Sequence, residues 1–76
     1  MLTIKDFEGT EWQLSDDIYE ITDNDHPSHD MGYGKGDRVR IIDYPSYSDT
    51  HLVTCRVEAE IAEFCGIKKT SLRKVA

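Results

Sequence analysis

The residues best suited to chemistry sit close together: Asp23, Asp25, His26, His29 and Asp30. Imidazole and carboxylate at such short spacing are ligands for zinc or nickel. No cysteine lies nearby, however, and no helical pattern presets the two imidazoles. Counted as a calcium loop from Asp23, the sixth position is Ser28 rather than Gly and the twelfth is Gly34 rather than Glu, so that pattern fails. The expectation is a solvated acidic loop in which Asp25 and His26 fix a turn before Pro27, with no metal and no cofactor. A small metal-binding protein using His26 and His29 is the third functional reading.

Nucleophilic catalysis needs Cys or Ser beside a positioned His. Cys55 has His51 four positions away, which puts both on one face of a strand without making them a dyad, and the alternation around Cys55 turns its thiol inward. No catalytic residue is assigned, and a noncatalytic protein is expected.

Lys68, Lys69, Arg73 and Lys74 form a basic tail. Within 58–76, Ile61, Ala62, Cys65, Gly66, Ile67, Leu72 and Val75 match the apolar, small and turn positions of a helix-turn-helix, whose second helix would carry the four bases. That makes a DNA-binding regulator the second reading. It lacks a supporting helix upstream. Trp12, Tyr33, Tyr44 and Tyr47 lie in or beside loops and turns, where aromatic side chains can line a groove for an extended peptide.

The elements that must position these residues are short. Seventy-six residues allow one domain with a thin core, which favours binding or assembly over a deep catalytic pocket. Leu2, Ile4, Trp12 and Leu14 flank a turn at Glu8-Gly9-Thr10, the pattern of a hairpin over residues 1–16. Ile18 to Thr22 is rich in β-branched and aromatic residues and reads as a strand. Asp23 to Gly36 is a long loop punctuated by Asn, Pro, Ser and Gly. Arg38 to Ile41 alternates charge and hydrocarbon, and a second loop covers Asp43 to Asp49.

From Val53 the alternation predicts one inward face of Val53, Cys55, Val57, Ala59 and Ile61, with Thr54, Arg56, Glu58 and Glu60 outward. Pairing with Arg38–Ile41 would then give a core of Val39, Ile41, Val53, Cys55 and Val57. Residues 57–67 also fit a helical stripe through Val57, Ile61, Phe64 and Cys65, so strand and helix both stay open there. Cys55 and Cys65 show no CxxC spacing and are expected as free buried thiols.

The strand around Asp17–Thr22, the loop with His26-Pro27-Ser28-His29, then Lys35-Gly36-Asp37-Arg38-Val39-Arg40-Ile41, resembles an SH3-like β-barrel of the small bacterial and phage type. The closing Ser71-Leu72-Arg73-Lys74-Val75 is similar to the helical turn and final strand that shut such barrels. The resemblance implies a mainly β fold over residues 17–76 with the 1–16 hairpin as an extension. The alternative is an α+β fold ending in a helix-turn-helix-like segment. Function does not follow from such a fold.

Charge supplies the functional expectation. Residues 1–33 carry −8, residues 34–66 carry −2 and residues 67–76 carry +4. An acidic domain is repelled by phosphate at long range and attracted to cations. A protein-binding or inhibitory module is therefore expected, using Asp16, Asp17, Glu20, Asp23, Asp25, Tyr33, Tyr44 and Tyr47 against a basic protein partner. Nucleic acid and membrane are not expected as partners. The opening Met1 to Asp6 lacks the pattern of a secretory leader, and no apolar run reaches membrane-spanning length, which points to the cytoplasm.

Overall fold

A computed structural model describes residues 2–24, 32–45 and 48–76. The chain is mainly β. Strands β1 (Leu2–Lys5) and β2 (Glu11–Leu14) form a hairpin. Strands β3 (Tyr19–Ile21), β4 (Arg38–Ile41), β5 (His51–Arg56), β6 (Cys65–Lys68) and β7 (Leu72–Lys74) form a curled, wholly antiparallel sheet in the order β6-β5-β4-β3-β7. A 3-10 turn, Lys69–Ser71, joins β6 to β7. This order, with a short helical turn before the last strand, is compatible with an SH3-like barrel.

Local chemistry explains the strand starts. Gly36 has φ of 94°, a backbone region that a side chain disfavours, and it turns the chain so that its N–H donates to the Ile21 carbonyl at 2.8 Å. Asp37 Oδ2 accepts from Gly34 N–H at 2.8 Å, and the Asp37 carbonyl accepts from Ile21 N–H at 2.9 Å. The Gly-Asp pair thus opens β4 as the sequence suggests.

The core has two parts, one on each face of the sheet. Ile21, Val39, Cys65 and Ile67 pack with Tyr33 on the inner face, joined by Tyr19 and Leu72. Ile42, Val53 and Cys55 pack on the other face under Ile4, Trp12 and Leu14 of the hairpin. Residues paired across strands share a face, and the β4–β5 register sets Val39 opposite Arg56 and Arg40 opposite Cys55. Val39 and Cys55 consequently point to opposite sides. The pairing of these strands agrees with the sequence expectation; the single shared core of Val39, Ile41, Val53, Cys55 and Val57 does not.

Two positions show why. Thr54, expected outward, is fully buried, and its hydroxyl donates to the Cys65 carbonyl at 2.9 Å. Val57, expected inward, lies beyond β5 and is 40% exposed. A strand buried on both faces hides its alternation, and β5 is buried through Val53, Thr54 and Cys55 together.

The hairpin is therefore a second layer. Ser15 N–H donates to the Ile41 carbonyl at 2.8 Å, Asp43 N–H to Gln13 at 2.9 Å, and Ala62 N–H to Lys5 at 2.9 Å. Residues 57–64 form neither strand nor helix; they are an irregular connection leading into β6. The helix-turn-helix is not formed, because Cys65 to Lys68 is extended and pairs with β5. Among the described residues, no helix is long and apolar enough to cross a membrane.

Candidate functional site

Three rings meet where the hairpin crosses the sheet. Trp12 comes from β2, Tyr44 follows β4, and Phe64 precedes β6. Trp12 and Tyr44 stack at 5.4 Å with 16° between their planes, and Phe64 meets Trp12 edge-on at 5.2 Å and Tyr44 at 5.8 Å. These are preferred aromatic geometries, each adding about 0.5–1.5 kcal/mol beyond burial. Tyr44 and Phe64 nevertheless keep 42% and 41% of their surface in solvent, so the cluster is also an exposed platform.

Asp6 orients the platform. Its carboxylate accepts from Glu8 N–H and Thr10 N–H, both at 2.9 Å, and from Trp12 Nε1–H at 3.0 Å. The indole hydrogen bond leads in holding this carboxyl below its ordinary range. Gly9, with φ of 84°, completes the turn. Asp6 thereby links the hairpin tip to the indole.

A second node lies at the other end of the connection. Arg56 forms a two-pronged pair with Glu63, Nε to Oε1 at 3.1 Å and Nη2 to Oε2 at 2.8 Å. Tyr33 Oη donates to Glu63 Oε1 at 2.6 Å, and the Arg56 guanidinium lies 5.0 Å from the Tyr33 ring centroid. These contacts, Arg56 first, hold the Glu63 carboxyl down at about 2. Burial pushes the Tyr33 phenol well above its usual range, and Glu63 adds to the rise. The node ties the first loop to residues 57–64.

The residues assigned from sequence fall into distinct groups. Asp17 pairs with Lys74 at 3.5 Å, and Glu20 pairs with Arg73. Asp23 Oδ1 accepts from Ser71 Oγ–H at 3.0 Å. Acids expected to face a partner and bases expected to face DNA thus stitch β3 to β7. Asp16 is exposed, and its carbonyl accepts from Arg40. Lys69 is exposed and Lys68 half-buried on β6. Tyr33, read as a groove residue, is only 2% exposed and belongs to the core. Tyr44 is in the platform.

Asp25, His26, His29, Asp30 and Tyr47 lie outside the described residues. Among the described residues, no three His, Cys, Asp or Glu side chains gather as metal ligands would.

Cys55 and Cys65 are free and buried, as expected. Desolvation raises both thiols above their ordinary value. Both should react with a thiol reagent only as fast as the protein opens, because the thiolate is the reactive form and each sulfur is shielded. Labelling followed by mass spectrometry checks this; rapid modification without loss of structure would contradict the burial.

Sequence reasoning named Trp12 and Tyr44 as loop-flanking aromatics. It read Phe64 only as part of a helical stripe and did not single out Phe7. The available signal for Phe7 was the Asp6-to-Thr10 turn, which places its second residue at a tip. Compared with protein-family models, curated proteins and solved structures, the chain matches none of them.

Proposed function

We propose that this chain is an SH3-like barrel acting as a noncatalytic protein-binding module, with an acidic surface that engages a basic partner. The observation that carries this reading is the exposed three-ring platform inside an acidic border. Asp43 adjoins Tyr44 in sequence, Asp49 lines a cleft of about 450 Å³ beside Tyr44, and Glu60 and Glu63 line a further cleft near Phe64. No Lys or Arg lines either cleft among the described residues. Aromatic faces and carboxylates together suit arginine and lysine side chains, through ring–cation contact and ion pairing.

This reading centres the acidic surface away from Asp17, Glu20 and Asp23. Asp17, Glu20 and Asp23 are engaged within the molecule, and so are Glu63 with Arg56 and Asp6 with Trp12; the exposed acids Glu8, Glu11, Glu58 and Glu60 of the hairpin and the connection support this side as the acidic surface.

A Lys/Arg-rich peptide should bind, and its affinity should fall about tenfold or more between low and high salt, since exposed charges are screened beyond about 8 Å at physiological ionic strength. Glu8→Lys with Glu60→Lys should slow its association more than it speeds dissociation. A Glu-rich peptide and duplex DNA serve as comparators. Tight binding of the wild type to duplex DNA at physiological salt, lost on replacing Lys68, Lys69, Arg73 and Lys74, would overturn this reading in favour of a DNA-binding regulator.

A further inference from the structure

The large hydrophobic side chains exposed among the described residues are Leu2, Phe7, Tyr44, Val57, Ile61 and Phe64. All six belong to the hairpin, to the 57–64 connection, or to the ring that stacks on Trp12; strands β3, β6 and β7 contribute none. Two clefts run along this side. One, about 500 Å³, takes in Leu2 and Val57, and the other, about 380 Å³, takes in Phe7 and Ile61. Ala59 and Glu60 line both, so the clefts adjoin.

Phe7 is the outlying feature of this side. It is 90% exposed. The tip that carries it is fixed by the Asp6 carboxylate on two backbone N–H groups, by Asp6 N–H to the Thr10 carbonyl, and by Gly9 N–H to the Asp6 carbonyl, each of the last two at 3.0 Å. A phenyl ring held in water on a fixed turn contributes nothing visible to the core. It is a preordered anchor, and preordering reduces the entropy lost on association.

Charge decides what covers this side. The hairpin carries Asp6, Glu8 and Glu11 against Lys5, and the connection carries Glu58, Glu60 and Glu63. Lys5, Arg40 and Arg56 line the cleft of Leu2 and Val57, and Arg56 pairs with Glu63, so the unbalanced carboxylates are those around Phe7 and Ile61, whose cleft is lined by no base among the described residues. A second copy docked face to face would set these carboxylates against themselves. A nucleic acid or an anionic membrane would be repelled in the same way. The cleft of Phe7 and Ile61, apolar and bordered by acids, fits an apolar segment bordered by bases.

We infer that the hairpin–connection side is the docking face and that its occupant is a basic amphipathic segment of another protein, with Phe7 as the anchor. This inference rests on the basic-partner reading above and adds the face, the anchor and the form of the ligand.

Randomised short peptides, selected on the wild type and then titrated by the fluorescence of Trp12, the one tryptophan in the chain, test it. The selected peptides should combine Lys or Arg with large apolar residues and should perturb amide resonances of residues 6–8 and 58–64. Phe7→Ser removes a side chain that is 90% exposed, so it should keep the wild-type melting temperature and weaken these peptides at least tenfold. Ile61→Ser supplies a second variant at the same cleft and should weaken them in the same direction. Selected peptides that are basic but indifferent to Phe7→Ser, with shifts confined to 16–23, would overturn the face while leaving the basic-partner reading standing. Selection of acidic peptides, or of none, would overturn both. A dimer in solution abolished by Phe7→Ser would show that a second copy is the occupant and would overturn the inference.

Discussion

Val39→Asp should leave little folded protein at room temperature, whereas Val57→Asp should melt within a few degrees of wild type. Both are valines on alternating segments, and the sequence places both inward. In the fold Val39 is fully buried among Ile21, Tyr33, Cys65 and Ile67. Its cross-strand neighbour on that face is Arg56, whose guanidinium is already held by Glu63, so the new carboxylate gains no counter-charge of its own. Burying it costs several kcal/mol even after its pKa adjusts, which is comparable with the whole stability of a small domain, about 5 kcal/mol at the low end. Val57 is 40% exposed and follows the last residue of β5, so a carboxylate there stays hydrated. Surface changes of this kind usually shift stability by roughly 0.5 kcal/mol or less. Thermal melts followed by circular dichroism compare the two directly. Cooperative wild-type melting of Val39→Asp, or unfolding by Val57→Asp, would mean that the two-sided core is wrongly drawn.

The Glu63 carboxylate should make stability depend on pH in the acid range. Its folded pKa, about 2, lies below the ordinary 4.5, because Arg56 and the Tyr33 hydroxyl favour the charged form. A depressed carboxyl stabilises the fold fully above the unfolded value, and the contribution fades as pH falls from about 4.5 towards 2. Part of the Arg56–Glu63 pair is in solvent, with about a third of each side chain exposed. The gain is therefore set at about 1–2 kcal/mol rather than the larger value a fully shielded pair would give. Glu63→Gln keeps the shape and removes the charge. It should lower the melting temperature at neutral pH by roughly 5–15 °C. The gap to wild type should narrow steadily below about pH 4 and vanish near pH 2. Tyr33→Phe, which keeps the Arg56 pair, should cost less. A gap that stays constant from pH 7 to pH 2 would show that the charge on Glu63 is not what the node uses.

Much of the fold was legible because its signals are local. Gly36-Asp37 announces β4 through backbone conformation alone, and Gly9 announces the hairpin turn. The order of strands then needs only antiparallel neighbours and short connections. The faces were not legible. Whether Thr54 points to water or into a core depends on what lies across from it, and the hairpin that makes β5 two-sided is about forty positions away in sequence. The helical stripe of Val57, Ile61 and Phe64 was misleading for a related reason. These side chains are apolar because they border the hairpin, and Ala62 is tied to Lys5, a contact with no trace in local periodicity. The pairing of charges was hidden in the same way: −8 and +4 look like two surfaces, yet Glu20 and Arg73 are cross-strand partners.

That seam between β3 and β7 also constrains how the chain can assemble. Tyr19 faces Lys74, whereas the hairpin register closes with Leu2 facing Leu14. The entropic cost of bringing two points together grows with the logarithm of the chain between them, so the seam costs about 1.3 kcal/mol more to close than the hairpin. A contact that distant gains its partners only after the intervening strands are in register. Topologies governed by such long-range pairing fold slowly, on the order of milliseconds to seconds. The five-stranded sheet is thus the late-forming half, and the hairpin bearing Phe7 can be ordered before the sheet it covers has closed.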